Sequence, residues 1–159
     1  MEWLRRHGQA SEALRWLEAR RRQRPNDVPL LRLQLHLLEE MGRKKEALPL
    51  YARLFQLAPD DTALLRTWAV RAEEFGTTLD ALQAYEALFR TFPDEVSAGL
   101  KLVTLYEQLG NRERAQKLLR QLSEDFPNNE EVKRRLQQPS SAVHGGGQEG
   151  GNPSSQKKP

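Results

Sequence analysis

Apolar side chains recur at helical spacing through most of this chain. Leu30, Leu31, Leu35 and Leu38 form one stripe, and Ala47, Leu50, Tyr51, Leu54 and Phe55 form the next. The pattern returns with Leu64, Leu65, Trp68 and Ala72, then with Ala81, Tyr85, Leu88 and Phe89. Each stripe is one face of a helix, because residues three and four apart lie above one another. Glycine or proline separates the stripes, so the pattern predicts short helices joined by tight turns. One such pair cannot bury its apolar face alone, and about three stacked pairs are needed for stability.

The turns keep a constant interval. Gly8, Gly42, Gly76 and Gly110 fall 34 residues apart, as do Ala13, Ala47, Ala81 and Ala115, and Pro25, Pro59, Pro93 and Pro127. Each landmark has a physical task. The glycine is expected to end the first helix of a pair in a left-handed turn that a Cβ would oppose. The alanine lets the two helices of a pair cross closely. The proline stops the second helix, since it has no backbone N–H to continue the ladder. Asn26-Asp27, Asp60-Asp61, Asp94-Glu95 and Asn128-Asn129 then offer caps for the helix that follows.

A 34-residue helix-turn-helix with Gly, Ala, an aromatic and Pro at fixed places resembles the tetratricopeptide repeat family. The resemblance covers about residues 1–136. It implies an all-α chain, a right-handed superhelix of antiparallel helix pairs (an α-solenoid). Its divisions are a partial repeat at 1–27, full repeats at 28–61, 62–95 and 96–129, and a capping helix at 130–136. Residues 137–159, rich in Gly, Ser, Pro and Gln, are expected to be a disordered tail.

The resemblance also implies a binding groove lined by the first helix of each pair, which receives a peptide or a partner helix. Its groove-facing places fall here on Pro29, Arg32, Leu33, His36, Glu39 and Glu40 in the first full repeat. In the next they are Ala63, Arg66, Thr67, Val70, Glu73 and Glu74, and in the last Ser97, Leu100, Lys101, Thr104, Glu107 and Gln108. Arg32, Arg66 and Lys101 lie near helix starts, whereas Glu39, Glu73 and Glu107 lie near helix ends. That order opposes the helix dipole by about 0.3–1 kcal/mol per charge. It suggests a groove with a basic and an acidic wall, against the alternative that these charges pair between repeats. The family's clamp for chaperone C-termini is not reproduced, because Arg32, His36, Thr67, Ser97 and Lys101 stand at the places it uses.

This chain departs from the family pattern in places. Leu35 and Val103 occupy a place that is usually small, and Leu54, Leu88 and Leu122 one that is usually alanine. Pro49 predicts a kink in a second helix, and Gly99 should cost its helix about 1 kcal/mol relative to alanine. At the N-terminal end Arg20 and Arg21 replace the Leu-Phe pair of the next two copies. This reads as a capped or shortened repeat, with a homo-oligomer formed through that end as the alternative.

Composition narrows the function. The 159 residues include no cysteine, so thiolate metal sites and cysteine nucleophiles are excluded. His7, His36 and His144 are scattered without ligand spacing, and no phosphate loop or nucleophile elbow is present. The sequence therefore predicts a protein-binding scaffold or adaptor, not an enzyme, with no cofactor and no metal. No run reaches the ~20 apolar residues of a membrane span, and MEWLRRHGQ lacks a secretory core. A soluble protein of the cytoplasm or of an organelle interior is expected. The net charge of +3 is concentrated in residues 1–24, where seven Arg face three Glu. Arg20, Arg21, Arg22 and Arg24 motivate nucleic-acid binding as an alternative, but the groove places are charge-balanced and carry no stacking aromatics.

Overall fold

The computed structural model describes residues 2–137, with side chains from residue 8 onward. Among the described residues the chain forms eight helices: α1 (Glu2–Gln23), α2 (Val28–Glu40), α3 (Lys44–Leu57), α4 (Thr62–Phe75), α5 (Thr78–Thr91), α6 (Val96–Gln108), α7 (Arg112–Asp125) and α8 (Glu130–Gln137). Each helix packs on the next in chain order, giving the antiparallel pairs α2–α3, α4–α5 and α6–α7 with α1 and α8 at the two ends. The fold is all-α and of tetratricopeptide-repeat type.

The helix starts follow from their caps. Asp27 Oδ1 accepts the Leu30 N–H at 3.1 Å, and Asp61 Oδ1 accepts the Leu64 N–H at 2.9 Å. Asn129 Oδ1 accepts from both Glu131 and Val132. Glu95 makes no side-chain cap bond at the start of α6, since its carboxylate is turned to Arg66. The second helices stop two residues before each proline. The N–H groups of Ala58, Phe92 and Phe126 make the last bonds, to the carbonyls of Leu54, Leu88 and Leu122.

Two of the four glycine turns match the expected geometry. Gly42 and Gly110 have φ of 71° and 74°, and Arg43 and Asn111 donate back to the carbonyls of Leu38 and Tyr106. This is the six-to-one closure of a left-handed helix end. Gly76 differs, with an extended backbone at φ −92°. There the turn is made by Thr77, whose side chain accepts the Asp80 N–H while Asp80 accepts the Thr77 N–H. Gly8 ends nothing, because α1 runs unbroken from Glu2 to Gln23. Helix α1 is thus one long rod, not the remnant of a first helix followed by a second.

The core continues through the stack. Ala47, Ala81 and Ala115 are buried at the helix crossings, as are Leu54, Leu88 and Leu122 beside them. Ala13 is exposed, because among the described residues no helix packs against that face of α1. Leu31, Leu54, Leu65 and Leu122 are fully buried, each contributing about 1.5–3 kcal/mol of hydrophobic stabilisation. Gly99 has a reason beyond the backbone. A Cβ there would lie 2.9 Å from Leu122 Cδ2 and 3.0 Å from Phe89 Cε2, so its absence lets α6 sit close to its neighbours. Pro49 lies on the exposed side of α3, and the helix continues through it to Leu57. Gln137, the first residue of the expected tail, closes α8; residues 138–159 lie outside the described residues.

Candidate functional site

First helices α4, α6 and α8 line a hollow of about 680 Å³, floored by Tyr85 and Leu88 of α5. Of the residues expected in the groove, Arg66, Val70, Ser97, Leu100, Lys101 and Thr104 line it. A smaller space of about 270 Å³ beside it is lined by Glu73 and Gln108, again with Lys101 and Thr104. Arg32, His36, Glu39, Glu40, Glu74 and Glu107 line neither. Val70 is 47% exposed, and Leu33 on α2 is similarly open, so the first-helix side offers apolar as well as charged surface.

The charged residues form a ladder between repeats. Arg32 reaches Asp61 at 2.7 Å and Arg66 reaches Glu95 at 2.5 Å, each pairing a first helix with the turn that ends its own repeat. The glutamates pair with the following repeat: Glu39 with Arg71 at 3.1 Å, Glu73 with Lys101, and Glu107 with Arg135. Buried tyrosines on the second helices donate to the same carboxylates, Tyr51 to Glu39 at 3.0 Å and Tyr85 to Glu73 at 2.6 Å. His36 Nε2 and Arg71 Nη1 lie 3.2 Å from Glu40 and Glu74 respectively. Each of the six ridge residues thus has an opposite charge within the stack. These pairs offset the unfavourable dipole placement, by about 0.2–1 kcal/mol each for partly exposed partners.

Protonation follows the same contacts. The Lys101 ammonium and then the Tyr85 hydroxyl hold Glu73 below the usual carboxylate range. Asp61 is lowered first by the Leu64 N–H and next by Arg32. Burial, reinforced by Glu39, pushes Tyr51 up to about 12. Burial and Glu73 raise Tyr85 as well.

The short last helix contributes residues that the sequence reading did not place in the groove. Glu131, Arg134 and Arg135 of α8 close one end of the hollow. The signal was available. Counting onward from Glu130 at the same interval puts Glu131, Arg134 and Arg135 at the places of Ser97, Leu100 and Lys101. Helix α8 therefore stands at a first-helix place in the 34-residue interval and lines the hollow beside α4 and α6. Among the described residues no group of His, Asp or Glu is arranged to hold a metal ion, and no helix is long and apolar enough to cross a membrane.

A family-model match agrees with this architecture over part of the chain. A family model described as "Tetratricopeptide repeat" matches residues 73–138, from the end of α4 through α8. A search of curated protein sequences finds no match. Among solved structures, a tetratricopeptide repeat protein from Parabacteroides merdae is 24% identical, with 80% of this chain and 51% of that one covered and a TM-score of 0.49. The MamA protein of Desulfovibrio magneticus, from residue 41 to its end, is 20% identical, with 85% and 76% covered and a TM-score of 0.47. With its 34-residue interval and its successive antiparallel helix pairs, the chain matches the tetratricopeptide repeat family over residues 73–138.

Proposed function

We propose that this protein is a non-catalytic scaffold that holds a segment of another protein, extended or helical, against its first-helix side. The observation that supports this most is the hollow between α4, α6 and α8. It combines an apolar floor (Leu88, Leu100) and the open Val70 side chain with hydrogen-bonding groups at Ser97 and Thr104. An apolar bed with a few placed polar groups is the usual chemistry of a recognition groove. The ladder of ion pairs fixes the spacing of the walls, so the groove is largely formed before a partner arrives.

The glutamate ridge is a poor place to test this, because reversing Glu39, Glu73 and Glu107 would also break the stack's own pairs. Val70 and Ser97 are exposed and line the hollow, so Val70→Glu with Ser97→Glu changes the groove and spares the core. Affinity capture from the native cell should lose its partner with this double variant, its circular dichroism unchanged. Undiminished capture by the folded variant would remove the groove from the account. Gln83→Glu, on the exposed side of α5, is the control that should capture normally.

A further inference from the structure

On the second-helix side, a separate hollow of about 390 Å³ lies between α5 and α7. Its floor is apolar, made by Phe89, Leu102, Tyr106 and Leu118, and its rim carries Arg90, Arg114 and Lys117. These cations contrast with those of the first-helix side, Arg134 excepted. Arg32, Arg66, Lys101 and Arg135 are paired, whereas Arg90, Arg114 and Lys117 form no ion pair with any described residue. The one acid at the hollow, Glu86, accepts the Tyr106 hydroxyl at 2.6 Å.

The preceding repeat provides an internal control. At the equivalent junction between α3 and α5, Trp68 stands where Leu102 stands here, packed with its ring centroid 5.9 Å from that of Phe55. The three rim places there are Gln56, Asp80 and Gln83. One step along the stack, the filling tryptophan has become a leucine, and two neutral residues and one acid have become three cations. A merely solvated face gives no reason for that change to coincide with a hollow.

We propose that this hollow is a second docking site, for an acidic amphipathic protein segment, independent of the first-helix groove. Apolar side chains of the segment would sit on Phe89 and Leu118, and its carboxylates would meet Arg90, Arg114 and Lys117. Charge complementarity of this kind selects the partner and speeds encounter. A nucleic acid fits less well. Base stacking needs an open aromatic face, and Phe89 and Tyr106 are half-buried, with the Tyr106 hydroxyl already bound.

The test uses fluorescence anisotropy on the full chain with three labelled probes. They are a peptide with Leu at i, i+3, i+4 and i+7 and Glu elsewhere, its counterpart with Lys for Glu, and single-stranded oligothymidylate. Arg90→Gln with Lys117→Gln rebuilds the neutral rim of the preceding repeat at two exposed positions. The acidic peptide should bind the wild type, lose about tenfold or more in affinity to that variant, and be unaffected by Val70→Glu with Ser97→Glu. The lysine counterpart should not bind. Failure of the acidic peptide to bind below about 1 mM would overturn the proposal, as would equal binding by the rim variant. Loss on the groove variant alone would overturn it by returning the peptide to the first-helix side. Tighter, rim-dependent binding of oligothymidylate would overturn it in favour of a nucleic acid.

Discussion

Gly99→Ala sets two effects of similar size against each other, and the structure decides between them. Alanine is about 1 kcal/mol better than glycine inside a helix, so an open site would be stabilised. Gly99 is not open. The new methyl would lie 2.9–3.0 Å from both δ-carbons of Leu122 and 3.0 Å from Phe89 Cε2. Leu122 is fully buried, so it has no free volume into which to retreat. Overpacking of this kind costs about 1–3 kcal/mol, which leaves a net loss of about 1 kcal/mol. That corresponds to a fall in melting temperature of about 3 °C for a domain of this size. The cause can be isolated with Leu122→Val, which removes the δ-carbons that the new methyl would strike. In that background the same alanine substitution should cost less than in the wild type, or become stabilising. Urea unfolding of the four proteins gives the coupling directly. If Gly99→Ala alone raises stability by the full propensity gain, the close approach of α6 to α7 is refuted.

The remaining predictions concern buried polarity and titration. Gln34 is buried where Trp68 and Leu102 stand in later repeats, and its Oε1 has no hydrogen-bond partner among the described residues. Gln34→Leu should therefore raise unfolding stability by about 1–2 kcal/mol, as read by urea denaturation. Asp61, Glu73 and Asp80 have lowered carboxyl pKa values in the fold. Their contribution is present above the unfolded carboxylate range of about 4 and is lost as pH falls through the folded values. Glu73→Gln should flatten this acid loss in pH-dependent melting curves. Tyr51 and Tyr106 are raised to about 12, so the fold favours their neutral forms. The stability they contribute is intact below the unfolded value of about 10 and falls as pH rises towards about 12. Phenolate absorbance should accordingly develop late and together with loss of helix.

The stacking order was readable because it rests on residues with few substitutes. Alanine at a helix crossing and proline after a helix end are fixed by steric fit and by a missing N–H, and both leave a periodic trace. The turns were less legible, because one geometric need has several chemical solutions. Thr77 and Asp80 turn the chain at Gly76 by side-chain capping, where Gly42 and Gly110 use a left-handed backbone. Helix α1 was missed for the opposite reason, since a glycine tolerated in a helix looks like one that ends it. The charge ridges were located correctly along each helix, but their partners were not. Arg71, Asp61, Glu95 and Arg135 lie 28–32 residues away along the chain, and only the stacked helices bring them within reach. Gly99 could be seen as an anomaly, yet its reason sits on α5 and α7, which the local sequence does not reveal.

The central claim is that the side lined by α4, α6 and α8 receives the partner. Amide chemical-shift mapping of the protein, free and with a captured partner segment, tests it most directly. Perturbations should concentrate at Val70, Ser97, Lys101, Thr104 and Arg134, residues that line one hollow. A partner that leaves those amides unmoved and shifts only the exposed turns would contradict the claim.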